Sequence, residues 1–172
     1  MNREQFKAMQ APLKERYRKD PSAAVVTVRA AGHAAADLGF TVETHQGPVV
    51  AGLHPSAGGD GTLATAEEML LETLVACSGV TLQAVAAAFG VELQTARVVA
   101  EGDIDVRGTL AVSKDVPVGF REIRLRFELD ADAPEEKLNQ IVALTERYCI
   151  VLQTLRQPTR IVSTRSRLLE RV

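Results

Sequence analysis

The 172-residue chain contains two cysteines, Cys77 and Cys149, and their thiols are the side chains best suited to covalent chemistry. A thiolate is a strong nucleophile, and it can be oxidised reversibly to a sulfenic acid or a disulfide. The first thiol lies in a stretch without charged residues that runs from Thr73 to Val91. Cys77 can therefore belong to a membrane span, fill space in a buried helix, or act as a reactive thiol.

The uncharged stretch is long enough to cross a bilayer. It is rich in alanine, however, it contains hydroxyl and amide side chains, and no aromatic or Lys/Arg belt flanks it. These features favour a helix that is buried on all sides within a protein. Because cysteine is among the most buried residue types, core filler is the plainest interpretation of Cys77.

The overall charge argues against several classes of partner. The formal net charge is -2 and the pI is about 6.0, so neither nucleic acid nor an anionic membrane is an expected partner. The polar N-terminal residues lack the apolar run of a secretory signal, which predicts a cytoplasmic protein with reduced thiols. The cysteines and His33, His45 and His54 do not have the spacing of metal ligands, so no metal or other cofactor is expected.

The first half of the chain predicts a helix, a small sheet and a second helix. Residues 3–18 have helical periodicity, and "AAVVTVRA" (23–30) and "FTVETH" (40–45) read as short strands. The Gly-rich loop that follows lacks the ending of a phosphate-binding P-loop. Thr65 and Glu68 resemble a capping box, so a helix is predicted from Ala66 to Phe89, closed by Gly90.

The second half predicts strands, a helix and a last strand. Residues 91–113 read as strand material, and residues 120–129 alternate between apolar and charged side chains. A second long helix is expected from Pro134 to about Cys149, and "TRIVSTRSRLL" (159–169) reads as the last strand. The predicted class is α+β, with a helical extension at residues 1–22 and one domain at residues 23–172.

A reactive Cys77 needs a group that stabilises its thiolate. Cys77 lies about three turns beyond the predicted start of its own helix, where the helix dipole has little effect. Lys and Arg are absent from residues 30–96, so an activating cation must come from elsewhere in the chain or from another subunit.

The motifs around the two cysteines resemble those of the OsmC/Ohr family of peroxide-reducing thiol proteins. Gly58-Gly59, "AEEMLLETLVACSGVTL" and "ERYCIVLQTL" carry the resemblance, and Glu67 precedes Cys77 by the ten residues that the family pattern requires. Two positions depart from the pattern: Ala66 and Ile150 stand where proline is usual. The family's catalytic arginine has no secure match, although Arg29 and His54 lie near its two usual places.

The resemblance implies an intertwined homodimer in which antiparallel sheets surround two long helices. It also implies that Cys77 attacks an organic hydroperoxide and forms a sulfenic acid, and that Cys149 then forms a disulfide with it. A dithiol reductant of lipoyl or thioredoxin type would reset the pair. Glu67 would orient the activating cation, for which Arg29 is the first candidate and His54 the second.

A different function class stays open at this point. The missing arginine favours a non-catalytic homodimer of the same fold, which binds an apolar small molecule or a protein partner and keeps both thiols inert.

Overall fold

A computed structural model describes residues 2–167 of the chain. Over these residues helices and strands alternate in groups, as an α+β class requires. The helices are α1 (Arg3–Lys19), α2 (Ala66–Phe89), the short α3 (Val106–Thr109), α4 (Glu135–Tyr148) and α5 (Ile150–Arg156). The strands are β1 (Ala31–Ala34), β2 (Phe40–Thr44), β3 (Gly47–Gly52), β4 (Ala64–Thr65), β5 (Thr95–Ile104) and β6 (Phe120–Asp130).

The strands form two separate sheets. The first has the order β1-β2-β3-β4, with antiparallel pairing except for the two-residue β4, which lies parallel to β3. The second is the long antiparallel pair of β5 and β6, in register from Thr95 opposite Asp130 to Ile104 opposite Phe120. The predicted alternation of β6 is confirmed, since its apolar side chains face the core and its charged side chains face outwards.

Helix α2 begins and ends where the sequence predicted. The Thr65 side chain accepts the Glu68 backbone N–H, and Gly90 closes the helix in the left-handed conformation at φ 66. The capping box is only partly formed, because the Glu68 carboxylate accepts the Thr65 hydroxyl (2.8 Å) in place of the backbone N–H of Thr65. Satisfied ends allow this apolar helix to lie in the middle of the fold.

Two clusters of buried side chains lie along α2. The hydrocarbon cluster contains Leu82, Val85, Ala86 and Ile141, which pack between the second half of α2 and α4. The sulfur cluster contains Leu74, Cys149 and Leu152, with Cys77 packed against it. Side chains of β5 and β6 cover both clusters, so the long sheet and α2 share one core.

Helix α2 is the one helix among residues 2–167 whose length and composition would allow it to cross a membrane. Its fully buried Leu74, Ser78 and Leu82 contact the rest of the chain, and its ends are capped. We therefore describe α2 as the central helix of the fold. The predicted burial on all sides is not seen within one chain, because Val80 in the middle of α2 is 72% exposed.

Two predicted strands are wrong for the single chain. Residues 25–30 have no regular structure and are exposed, and the first strand starts only at Ala31. Residues 157–167 also form no strand, and residues 168–169 of the predicted last strand lie outside the described residues. Both stretches have strand-forming composition, but a strand needs a neighbouring strand to accept its backbone hydrogen bonds, and neither stretch has one here.

The predicted strand material at residues 91–113 is only partly strand. β5 ends at Ile104 because the Asp105 side chain accepts the Arg107 N–H and starts the short helix α3. Side chain to backbone hydrogen bonds of this kind compete with strand pairing.

Candidate active site

Cys77 lies in the middle of α2, on the side that faces α5 and the long sheet. Its side chain is half-buried, and both it and Cys149 are free thiols. The residues one turn before it and directly after it, Leu74 and Ser78, are fully buried. The Thr81 hydroxyl donates to the Cys77 carbonyl at 2.7 Å, which fixes the backbone at this point of the helix.

Cys149 lies at a break between two helices. α4 ends at Tyr148, Cys149 has extended backbone angles (φ -70, ψ 109), and α5 starts at Ile150. The Cys149 sulfur is fully buried and accepts the Leu152 backbone N–H at 3.5 Å, so the thiol caps the start of α5. The prediction that the second long helix ends near Cys149 is confirmed.

The break at Cys149 frees the first N–H groups of α5, which have no partner within that helix. Burial raises the pKa of the Cys77 thiol, but the backbone N–H groups of Val151 and Ile150 and the thiol of Cys149 lower it. The balance leaves the pKa of Cys77 below the ordinary value of a cysteine. Since the Thr81 hydroxyl proton is already bonded to a carbonyl, we assign the lowering to the start of α5 and to Cys149.

A second contact links the two halves of the site. The Ser78 hydroxyl lies 3.4 Å from the Cys149 sulfur, and both side chains are fully buried. α2 thus presents Cys77 and Ser78 in succession to the start of α5. The arrangement holds two thiols side by side in one cluster, one half-buried with a lowered pKa and one fully buried.

The other predicted site residues do not join this cluster within the single chain. Arg29 is exposed in the extended stretch of residues 25–30. His54 caps the 3-10 turn Pro55–Ala57, where its Nδ1 lies 2.6 Å from the Ser56 hydroxyl oxygen. In residues 2–167, no Lys, Arg or His side chain contributes to the lowered pKa of Cys77.

Glu67 lies in the first turn of α2 and is half-buried. Ten helical residues separate it from Cys77, which corresponds to about 15 Å along the helix axis. Glu67 can therefore act on the Cys77 thiol only through a third group that lies between them.

A family model identifies the chain independently of the geometry. The model of OsmC-like proteins matches residues 59–164, which is more than half of the chain and includes both cysteines. The chain belongs to the OsmC family. No curated protein matches it in sequence.

Solved structures of OsmC proteins share the fold at low identity. An OsmC-like protein from Mycoplasma pneumoniae is 18% identical, with 77% of this chain and 89% of that chain covered and a TM-score of 0.66. An organic hydroperoxide resistance protein OsmC from Legionella pneumophila is 18% identical, with 77% and 90% covered and a TM-score of 0.61. The organic hydroperoxide resistance protein OhrB of Bacillus subtilis is 17% identical, with 77% and 93% covered and a TM-score of 0.51.

Sequence reasoning missed the backbone donors at the start of α5. It considered only the N-terminus of α2, which is too far away, and it therefore looked for a cation. The OsmC resemblance contained a usable signal, because a proline after the second cysteine suits the first residue of a new helix. Ile150 occupies that position here and, unlike proline, it has an N–H group to donate.

Proposed function

We propose that this OsmC protein is a thiol peroxidase that reduces organic hydroperoxides. The Cys77 thiolate attacks the O–O bond, the alcohol leaves after taking up a proton, and Cys77 becomes a sulfenic acid. The Cys149 thiol then displaces water from the sulfenic acid and forms the Cys77–Cys149 disulfide. A dithiol reductant of lipoyl or thioredoxin type opens the disulfide by exchange and restores both thiols.

The observation that carries this proposal is the packing of Cys77 against Cys149 and the first residues of α5. The N–H groups of Val151 and Ile150 lower the pKa of a half-buried thiol, and a second thiol contributes to the same lowering. Lowered pKa and partial exposure are what a nucleophilic cysteine needs, and an adjacent thiol is what a resolving step needs. Inert core cysteines require neither.

We assign the remaining site residues to an assembled protein of two subunits. Arg29 is the first candidate for a cation that neutralises the leaving oxygen, and His54 is the second. Glu67 would accept hydrogen bonds from that cation and hold it between the first turn of α2 and Cys77. This assignment requires that a second subunit bring Arg29 near the thiol, since residues 25–30 are extended and exposed in one chain.

A homodimer is supported by the apolar surface that one chain leaves uncovered. Val28 is 89% exposed, Ile161 is 85% exposed and Val80 in the middle of α2 is 72% exposed. β5 and β6 form a sheet of only two strands, so within residues 2–167 both of its edges lack a neighbouring strand. A second copy that adds strands to the sheets and a surface to α2 would cover all three features.

Sedimentation tests the dimer directly. We expect one species of twice the chain mass at micromolar concentration, with no monomer on dilution across that range. A stable monomer would contradict both the dimer and the proposed role of Arg29.

The cellular setting follows from the chemistry. The proposed cycle needs a dithiol reductant that returns both cysteines to thiols, so we place the protein in the cytoplasm, where thiols are kept reduced. The apolar surroundings of the two thiols suit an organic hydroperoxide better than hydrogen peroxide.

Thiol titration with hydroperoxide consumption tests the proposed function. An enzyme of this kind has one thiol that alkylates fast near neutral pH, and it consumes an organic hydroperoxide such as cumene hydroperoxide when a dithiol is supplied. Two slow thiols and no consumption would contradict the proposal.

One observation favours the alternative of a non-catalytic binding protein. An open groove of about 780 Å³ lies between α1 and the second half of α2, and Phe6, Met9, Val80 and Ala84 are among the residues that line it. The apolar part of this lining would accept an apolar small molecule, and Arg3, Gln83 and Glu92 line the rest of the groove. Thiol titration separates the two functions. A protein that only binds a ligand in this groove needs no reactive thiol, so both of its thiols should alkylate slowly.

A further inference from the structure

Ser78 differs from the other hydroxyl residues of the two long helices in where its hydroxyl points. Thr73, Thr81 and Thr145 each donate to the backbone carbonyl four residues earlier, at 2.7 to 2.8 Å. This is the usual bond of a hydroxyl inside a helix. The Ser78 hydroxyl instead lies 3.4 Å from the Cys149 sulfur, across the boundary between two helices.

Stability alone gives little reason for a serine at this position. A thiol is a weak hydrogen-bond partner, so the contact repays only part of the cost of burying a hydroxyl group. Alanine has a higher helix propensity than serine and carries no polar atom to bury. An alanine at position 78 would therefore leave the fold as stable or make it more stable, and the hydroxyl needs a different explanation.

The Cys149 sulfur has a second donor close by. The Leu152 backbone N–H points at the same sulfur from the start of α5, at 3.5 Å. In the resting thiol either Ser78 or Cys149 can be the donor of their shared contact. Once Cys149 loses its proton only the serine hydroxyl can donate, so the anion would receive two hydrogen bonds.

We infer that Ser78 is the positioning residue of the resolving step, in which its hydroxyl and the Leu152 N–H hold the Cys149 thiolate against Cys77. This inference rests on the proposed function and deepens it, because resolution is the second half of that reaction. In the step itself the Cys149 sulfur forms a bond to the Cys77 sulfur, and the sulfenic hydroxyl leaves with the thiol proton as water. The Cys149 sulfur is oxidised and the Cys77 sulfur is reduced, so no further oxidant is needed.

Among the hydrogen bonds of residues 2–167, the Ser78 hydroxyl is the one side-chain group within bonding distance of the Cys149 sulfur, and the Leu152 N–H is the backbone donor; aliphatic side chains pack around the sulfur. Leu74 comes from α2, Leu152 from α5, and Ala100, Ile123 and Leu125 from the long sheet. Cys77 packs against the same cluster, and its sulfur is the electrophile of the step. The serine hydroxyl is thus the side-chain donor that the fold supplies to the resolving sulfur.

The test follows the attack of Cys149 without a peroxide. One equivalent of a nitroaromatic disulfide per subunit first reacts with Cys77 and releases one coloured thiolate. Cys149 then attacks the Cys77 mixed disulfide and releases the second coloured thiolate. The two phases measure the nucleophilic and the resolving thiol separately in the same sample, for the wild-type chain, Ser78→Ala and the control Thr73→Ala.

We expect Ser78→Ala to leave the first phase unchanged within about twofold. The second phase should slow about tenfold, because the Cys149 thiolate loses one of its two donors and is formed and held in place less often. The second phase of the variant should also require a higher pH to reach half its maximal rate. Thr73→Ala removes a hydroxyl that bonds only to its own helix, and both of its phases should match those of the wild-type chain.

Thermal unfolding of the same variants separates positioning from structure. An unaltered or raised Tm in Ser78→Ala together with a slow second phase supports the inference. A second phase at the wild-type rate with an unchanged pH profile would overturn it, and so would a wild-type protein in which the second phase is absent. If the wild-type protein consumes no hydroperoxide, the proposed peroxidase function is contradicted and the role of Ser78 is not. The two releases of coloured thiolate do not depend on peroxide, so they test Ser78 separately.

Discussion

The hydrocarbon cluster and the sulfur cluster lie on the same helix and under the same sheet, yet they differ in what fills them. Leu82, Val85, Ala86 and Ile141 present only carbon and hydrogen to one another. The sulfur cluster has a similar aliphatic frame of Leu74 and Leu152, with two thiols and a hydroxyl within it.

The difference between the clusters comes from the backbone as much as from the side chains. α4 is continuous where Ile141 packs, so its N–H groups are bonded within the helix. At Cys149 the chain leaves the helix and starts α5, whose first backbone N–H groups lie beside the sulfur cluster; the Leu152 N–H donates to the Cys149 sulfur, and those of Val151 and Ile150 lower the pKa of Cys77. A break in one helix thus brings backbone N–H groups to two thiols in an otherwise apolar core.

Removing the thiols is the largest expected perturbation of the sulfur cluster. We expect Cys77→Ser to abolish hydroperoxide consumption, because only this thiol attacks the O–O bond. Cys149→Ser should permit about one turnover per subunit and then stop as a sulfenic acid, which a sulfenic-acid trapping reagent and intact mass would reveal. If both variants lost the single-turnover rate equally, the two roles would have to be abandoned.

Truncating one buried leucine in each cluster compares how much the two clusters contribute to the free energy of unfolding. Leu82→Ala and Leu74→Ala each remove a fully buried leucine, so each should lower the free energy of unfolding by about 3 kcal/mol in chemical denaturation. Only Leu74→Ala should also change the alkylation rate of Cys77, because Leu74 belongs to the sulfur cluster. An altered thiol rate in Leu82→Ala would mean that the clusters are not separate.

A single N–H group can be removed from the start of α5. Ile150→Pro keeps the helix start, because proline suits the first helical position and the extended Cys149 tolerates a following proline. The pKa of Cys77 should rise, and its alkylation at neutral pH should slow about fivefold, since a partly exposed hydrogen bond to an anion is lost.

The matched control is Ile150→Ala, which keeps the N–H and removes a side chain that is 76% exposed. Its alkylation rate should equal that of the wild-type chain across pH. Equal slowing in both variants would show that the side chain of Ile150 matters and its N–H does not.

The smallest expected effect concerns Arg29 and His54, which the sequence analysis predicted as candidates for the activating cation. Because the start of α5 already lowers the pKa of Cys77, Arg29→Ala should slow alkylation only about twofold to threefold, through the field of a second subunit. His54→Gln should have no effect if Arg29 is the cation. A steep loss in Arg29→Ala would instead make the arginine the main activator.

Local signals in the sequence predicted much of this fold. Thr65 and Gly90 predicted the ends of α2, and the alternation of residues 120–129 predicted β6 with one exposed and one buried face. Both predictions hold because each feature depends on residues that are close together in the sequence. Cys77 and Cys149 were selected by motif, and the structure brings them into one cluster.

What the sequence could not predict depends on contacts between distant parts of the chain. The start of α5 lies against Cys77 only after α2, α4 and the long sheet have packed, and no local pattern encodes that N–H groups there meet a sulfur. The predicted strand at residues 23–30 is absent for a related reason. Its composition favours a strand, but a strand forms only beside another strand, and residues 2–167 of one chain do not provide one there.

The exposed stretch before β1 has a consequence for handling the protein. "AAVVTV" (23–28) is uncharged, free of proline and rich in β-branched residues, and it is followed at once by Arg29. Unpaired segments of this kind pair with copies of themselves, and a flanking charge slows that process. A subunit that loses its partner should therefore aggregate before it accumulates as a monomer, and Arg29 would then act as a gatekeeper against fibril growth.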